Sequence, residues 1–113
     1  RATDKKTGQD VAIKFANVKN KKQEEVKEQI ISLATEAKFQ AMVKDKNILA
    51  PLFLFANTTS ACVVMPFAKC DSRKLAEDHD LTVPVIAFIL KNTLRAIDKL
   101  HQSGIVHHDI KAA

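Results

Sequence analysis

Apolar residues crowd into two short clusters, around Val11 to Phe15 and again from Asn47 to Ala68, and between them they recur at wider, regular intervals. The turn-forming stretch DKKTG (Asp4 to Gly8) precedes the first cluster. It predicts a hairpin in which Arg1 to Thr3 ends one strand and Asp10 to Asn17 forms the next. From Lys21 to about Lys44 neither Gly nor Pro occurs, and Val26, Ile30, Leu33 and Ala37 line one face of a helix. Asn47 to Ala56 (NILAPLFLFA) and Ser60 to Ala68 (SACVVMPFA) are apolar runs separated by NTTS, the pattern of adjacent antiparallel strands. Proline brings no amide to a ladder, so Pro51 and Pro66 are expected at a bulge, an edge or a strand end.

Beyond this point the pattern changes character. Cys70 to Leu81 is polar and charged, and reads as a short helix plus loop. Thr82, with Pro84 just after it, starts a second long helix whose Ile86, Leu90, Leu94, Ile97 and His101 share a face, until Gly104 ends it. Strands and one helix therefore come first and a mainly helical part follows, crossing over at Phe67 to Asp71. No internal repeat interrupts this order.

With 113 residues and 46% apolar content, the chain can bury one modest core. Two cysteines, Cys62 and Cys70, are too few for a disulfide framework and point to a reducing compartment, with the cytoplasm as the expected location. No apolar run approaches the roughly 18 residues needed to span a bilayer, so no membrane span is expected. The net charge of +5 and the KNKK cluster at Lys19 to Lys22 raise the question of a polyanion. All six aromatics are Phe, placed in apolar stretches instead of among the lysines, so a solvated charged face is the better reading and no nucleic-acid partner is expected. The chain starts at Arg1 without an initiator Met and stops at Ala113 just after a motif-like segment, and is read as cut at both ends.

Four short marks carry the chemistry. VAIK occupies Val11 to Lys14, Glu36 stands within the first helix, an apolar strand leads to the crossing at Met65 to Ala68, and HHDIK follows a helix ending LHQSG. In this order and spacing they resemble the eukaryotic protein kinases, whose signatures include a strand Lys in V-A-I-K, a helix Glu and a catalytic loop H-R-D-L-x-x-x-N. The resemblance implies an α+β, protein-kinase-like fold. Residues 1–67 would form a partial small lobe, an antiparallel sheet plus one long helix, and residues 68–113 the hinge and the start of the large lobe up to the catalytic loop. A glycine-rich phosphate loop and the metal-binding D-F-G segment are not among these residues, and the motif's Asn would fall directly after Ala113.

The same resemblance implies an ATP-dependent protein serine/threonine kinase with ATP and Mg2+ as cofactors, its metal ligands outside this chain, acting on a protein substrate and open to assembly partners. Phosphoryl transfer needs a polyanion held in line with a hydroxyl and its growing charge neutralised. Lys14 would meet the α and β phosphates. Glu36, about 80° around the helix from the Val26 stripe, would reach sideways to hold it. Ala12 would pack on the adenine face, Pro66 and Ala68 would offer a carbonyl and an amide to the adenine edge, and Met65 would guard the pocket behind. Pro66 replaces an acidic residue common there but keeps the carbonyl. Asp109 would accept or orient the substrate hydroxyl, and Lys111 would stabilise the transferring group, a Lys typical of Ser/Thr-directed members. His107 would pack beneath the loop.

Other readings remain open beside this one. A metal site built from His101, His107, His108 and Asp109 is disfavoured, because adjacent side chains of an extended segment point apart. A pseudokinase, keeping the shape as a binding or structural module but transferring nothing, is the stronger rival. Two departures favour it: Gln40 stands where active kinases place an apolar side chain, and His108 where they place an Arg that pairs with a phosphorylated activation segment. A neutral imidazole lacks that fixed charge. Activity of the full-length protein is accordingly expected not to depend on activation-segment phosphorylation; a phosphate requirement that disappears on His108→Ala would refute this.

Overall fold

The computed structural model describes residues 1–112. They fall into two compact units, one comprising Arg1–Lys44 with Leu49–Phe67, the other Asp45–Ile48 with the residues from Ala68 onward.

The first unit is a four-stranded antiparallel sheet with one helix. Its strands are β1 (Ala2–Thr3), β2 (Asp10–Phe15), β3 (Phe53–Ala56) and β4 (Ala61–Pro66), in the order β1-β2-β4-β3, and the helix α1 spans Gln23–Met42. The hairpin joining β1 to β2 is tied by Asp4, whose carboxylate accepts the amides of Lys6 at 2.8 Å and Thr7 at 3.3 Å, and Gly8 adopts a φ of +72°. Those amides hold the Asp4 carboxyl below the usual range, and the Arg1 guanidinium does the same for Asp10. A depressed carboxyl stabilises the hairpin above its ordinary titration range, and the benefit disappears as acid protonates it.

Side chains alternate across the sheet, so Ala61, Val63 and Met65 of β4 face α1 together with Ala16, just past β2. Leu33 and Ala37 of α1 close on them to form the core cluster, with Ile30 at its margin. No side chain caps the N-terminus of α1, but Glu24 and Glu25 in the first turn complement its exposed amides. The opposite sheet face leaves Phe15, Phe53 and Phe55 exposed.

The second unit holds α2 (Ser72–Asp78) and α3 (Val83–Gln102). Asp71 caps α2 by accepting the Lys74 amide at 2.8 Å. Pro84 sits in the first turn of α3, as the sequence predicts. At the other end the Ile105 amide reaches the Leu100 carbonyl at 2.9 Å and the Gly104 amide reaches His101 at 3.0 Å, with Gly104 at φ +75°. This paired closure requires a left-handed residue, which is why Gly104 ends the helix. No helix of the described residues is long and apolar enough to cross a membrane.

Three expectations differ from the structure. The run from Asn47 to Leu52 is not strand: Asp45 folds it into a turn, taking the Asn47 amide on its side chain at 2.8 Å and the Ile48 amide on its carbonyl at 3.1 Å. Pro51, lacking an amide, then delays the strand to Phe53. The first helix and the strand before it are each about two residues shorter at their ends than the apolar pattern allows. On α3 the half-buried positions are Ile89, Asn92, Thr93, Ala96, Ile97 and Leu100, whereas Ile86, Leu90 and Leu94 are exposed. Apolar residues cover about half its circumference, so periodicity supplies two candidate stripes and only packing chooses.

Leu33 is 6% exposed and central to the core cluster. Leu33→Ala is expected to lower unfolding free energy by about 2–4 kcal/mol. Ile31→Ala, at an exposed position one turn face away, should stay within about 0.5 kcal/mol. Equal losses in denaturant titrations would contradict this core.

Candidate active site

In the first unit the site residues are set by strand alternation. The ladder between β2 and β4 pairs Ala12 with Met65 and Lys14 with Val63, so Ala12, Lys14 and Met65 share the face that carries α1. Leu33 and Ala37 fix the rotation of α1, and Glu36 sits at the margin of that packed stripe. From there its carboxylate spans Lys14: Nζ donates to Oε1 at 2.8 Å and to Oε2 at 2.7 Å. Both side chains are about half exposed, 50% and 46%, so the pair contributes well under about 1 kcal/mol to folding. Its effect is directional: it holds a flexible ammonium in one place on the sheet.

Pro66 closes β4 opposite Val11. The Phe67 amide bonds the Asp10 carbonyl at 3.3 Å, and the Ala16 amide bonds Ala61 at 2.9 Å, which makes Pro66–Val11 a non-hydrogen-bonded pair of the ladder. A proline costs β2 nothing there, and its carbonyl turns away from β2. Phe67 packs under Arg1, whose guanidinium lies 5.1 Å from the ring centroid.

The second unit contains Ala68, Asp109 and Lys111, all exposed. Lys111 Nζ meets Asp109 Oδ2 at 3.1 Å, and the Asp109 amide donates to Nδ1 of His107 at 3.1 Å. Just beyond, the Ala112 carbonyl accepts the Arg73 amide at 3.1 Å, tying the loop to the first turn of α2. Asp45, Asn47 and Ile48 complete this unit as a turn. His107, expected to pack beneath the loop, is instead exposed and hydrogen-bonded along the chain, because no described side chain covers it. That bond and the Arg73–Ala112 tie were not foreseen. A backbone amide carries no residue signature, and only the ring nitrogen two positions before Asp109 hinted at the first. Among the described residues no three His, Cys, Asp or Glu side chains gather into a metal site.

Comparison with known proteins then decides the family. A family model described as Protein kinase domain matches residues 1–113. The chain belongs to the protein kinase domain family. This kinase chain is 36% identical over 108 residues to the serine/threonine-protein kinase TIO of Arabidopsis thaliana, covering 95% of the chain and 8% of that protein. It is 31% identical over 115 residues to serine/threonine-protein kinase 10 of Danio rerio, covering 99% and 11% respectively. To cyclin-dependent kinase 7 of Dictyostelium discoideum it is 28% identical over 116 residues, covering 98% and 31%. The chain thus spans less than a third of the length of each of these relatives.

Within the kinase chain both departures from the family pattern have structural addresses. Gln40 is half-buried on the Leu33–Ala37 stripe of α1. His108 is exposed and takes a φ of 65°, in the left-handed region that few side chains occupy.

Glu36→Gln is expected to change unfolding free energy by less than about 1 kcal/mol while releasing the Lys14 ammonium, which NMR of the lysine ammonium groups would show as increased mobility. A loss of several kcal/mol would make the pair structural instead of directional.

Proposed function

We propose that the complete protein is an ATP- and Mg2+-dependent protein kinase that phosphorylates serine and threonine hydroxyls of protein substrates. The observation that carries this reading is the seating of the Lys14 ammonium between both oxygens of Glu36, on the sheet face it shares with Ala12 and Met65. An exposed lysine held by a carboxylate is a preorganised cation for a phosphate chain, and needs no rearrangement when the anion arrives. Family membership and the serine/threonine kinases among its relatives support the same conclusion.

Mg-ATP, when bound, supplies the transferable phosphoryl group. The residues of this chain do the rest by position and charge. As the family resemblance implies, Ala12 would leave room for a flat base and Met65 would limit its depth, while the Pro66 carbonyl and the Ala68 amide would offer an acceptor and a donor to its edge. Lys14 would hold the α and β phosphates. Asp109 receives or orients the substrate hydroxyl, and Lys111 neutralises charge growing on the transferred group. We further propose a cytoplasmic setting, in keeping with two free cysteines, one half-buried and one exposed. A protein substrate is the partner that a kinase of this family would take, and the KNKK cluster at Lys19 to Lys22 has no aromatic within it on which a base could stack.

A second reading, a pseudokinase serving as a binding module, draws on the half-buried Gln40. Were that amide enclosed in an apolar column of the complete protein without a hydrogen bond, the cost of about 1–3 kcal/mol would weaken the arrangement around α1 required for transfer.

Radiolabelled phosphate transfer by the complete protein separates the two. Wild type should phosphorylate a protein substrate, and Lys14→Met should lose at least about a hundredfold of that rate; an inert wild type favours the pseudokinase. The 113-residue chain has only two glycines, Gly8 and Gly104, and no D-F-G segment, so alone it should show no Mg-dependent transfer. Measurable transfer by it would overturn the assignment of roles.

A further inference from the structure

Pro66 fixes its own φ and carries no amide, so the backbone leaving β4 first regains its freedom at Phe67. Two peptide planes meet there. One holds the Pro66 carbonyl beside the Phe67 amide, the other the Phe67 carbonyl beside the Ala68 amide, and both are trans and rigid. The two torsions of Phe67 therefore set how the Pro66 carbonyl and the Ala68 amide point relative to each other.

The backbone holds Phe67 only loosely. Its amide reaches the Asp10 carbonyl at 3.3 Å, longer than the usual value of about 2.9–3.0 Å. Side chains add a second hold. The Asp10 carboxylate pairs with the Arg1 guanidinium, and its other oxygen accepts the Thr3 hydroxyl at 3.4 Å. That guanidinium in turn lies over the half-buried Phe67 ring, 5.1 Å from its centroid and inside the ~6 Å at which a cation and a ring face attract. Asp10 thus reaches Phe67 twice, directly through its carbonyl and indirectly through Arg1.

We propose that Arg1, Asp10 and Phe67 form a clasp at the end of the sheet, in which Arg1 is a positioning residue that fixes the torsions of Phe67 and so tunes affinity for the base of the nucleotide. This rests on the reading that the Pro66 carbonyl and the Ala68 amide meet that base. Without the guanidinium Phe67 turns more freely, and acceptor and donor lose their alignment before the base arrives. Lys14 stands on a separate tie, its bonds to Glu36, so the hold on phosphate is unaffected.

Two ligands of the complete protein report these halves separately: adenosine, which carries the base, and inorganic tripolyphosphate, which carries only the charge. By calorimetry, Arg1→Met is expected to weaken adenosine about fivefold and to leave tripolyphosphate within about twofold. In steady state the KM for ATP should rise by a similar factor, with kcat within about twofold. Equal weakening of both ligands, or of neither, would overturn the proposal. A Phe67→Leu background shows whether Arg1 acts through the ring. There Arg1→Met should change adenosine affinity by less than about twofold, and a full fivefold loss, about the same as in wild type, would refute that route. Wild-type protein offers a check free of variants and ligands. The ring current of Phe67 should move the Arg1 side-chain proton resonances upfield, and unshifted resonances would mean that no clasp exists. Where the complete protein binds neither adenosine nor ATP, the kinase reading is what fails, and the ring-current shift alone decides the clasp.

Discussion

The packing of Leu33 and Ala37 against Ala61 and Val63 sets the rotation of α1 over the sheet, and the placement of Glu36 follows from that rotation. A helix turned by one residue, about 100°, would carry the carboxylate off the margin it occupies and out of reach of Lys14. The apolar contact supplies the free energy, and the ion pair uses the geometry it creates. This division explains how a half-exposed pair that adds little to stability can still be closely placed, with both Glu36 oxygens under 3 Å from one nitrogen.

The second unit reaches order by a different route. It has no fully buried side chain on α2 or α3. Its defined positions come instead from satisfied backbone groups: the Asp71 cap on α2, the paired closure at Gly104, the Arg73–Ala112 tie and the Asp109 amide on His107. Hydrogen bonds of this kind place atoms accurately but add only about 0.5–1.5 kcal/mol each. The loop bearing Asp109 and Lys111 is therefore held by direction more than by burial, and the exposed apolar stripe of α3 leaves much of this unit's hydrophobic surface in water.

Gln40 and His108 show how such a framework tolerates substitution. Gln40 shares its stripe with Leu33 and Ala37 but sits near the end of α1, where half-burial leaves its amide some access to water. His108 occupies a left-handed position, at a φ of 65°, between the two partners of the hydrogen bond from the Asp109 amide to His107.

Much of this was legible along the chain. Turn chemistry at Asp4–Gly8, the Gly- and Pro-free stretch of α1, Pro84 and Gly104 marked the elements, since each of these residues constrains its own backbone whatever surrounds it. VAIK, Glu36 and HHDIK identified the family and the candidate site for a similar reason: the chemistry requires those residue types at that spacing. The rest depended on partners distant in the chain or on groups that every residue carries. Which stripe of α3 packs, where β3 begins after the Asp45 turn, and which ring nitrogen meets the Asp109 amide are all decided by three-dimensional neighbours. Sequence by itself marked most of the elements, the family and the candidate site residues. Tertiary structure alone decided which of them touch, because a contact such as Lys14 with Glu36 needs two separate elements brought to a common rotation and register.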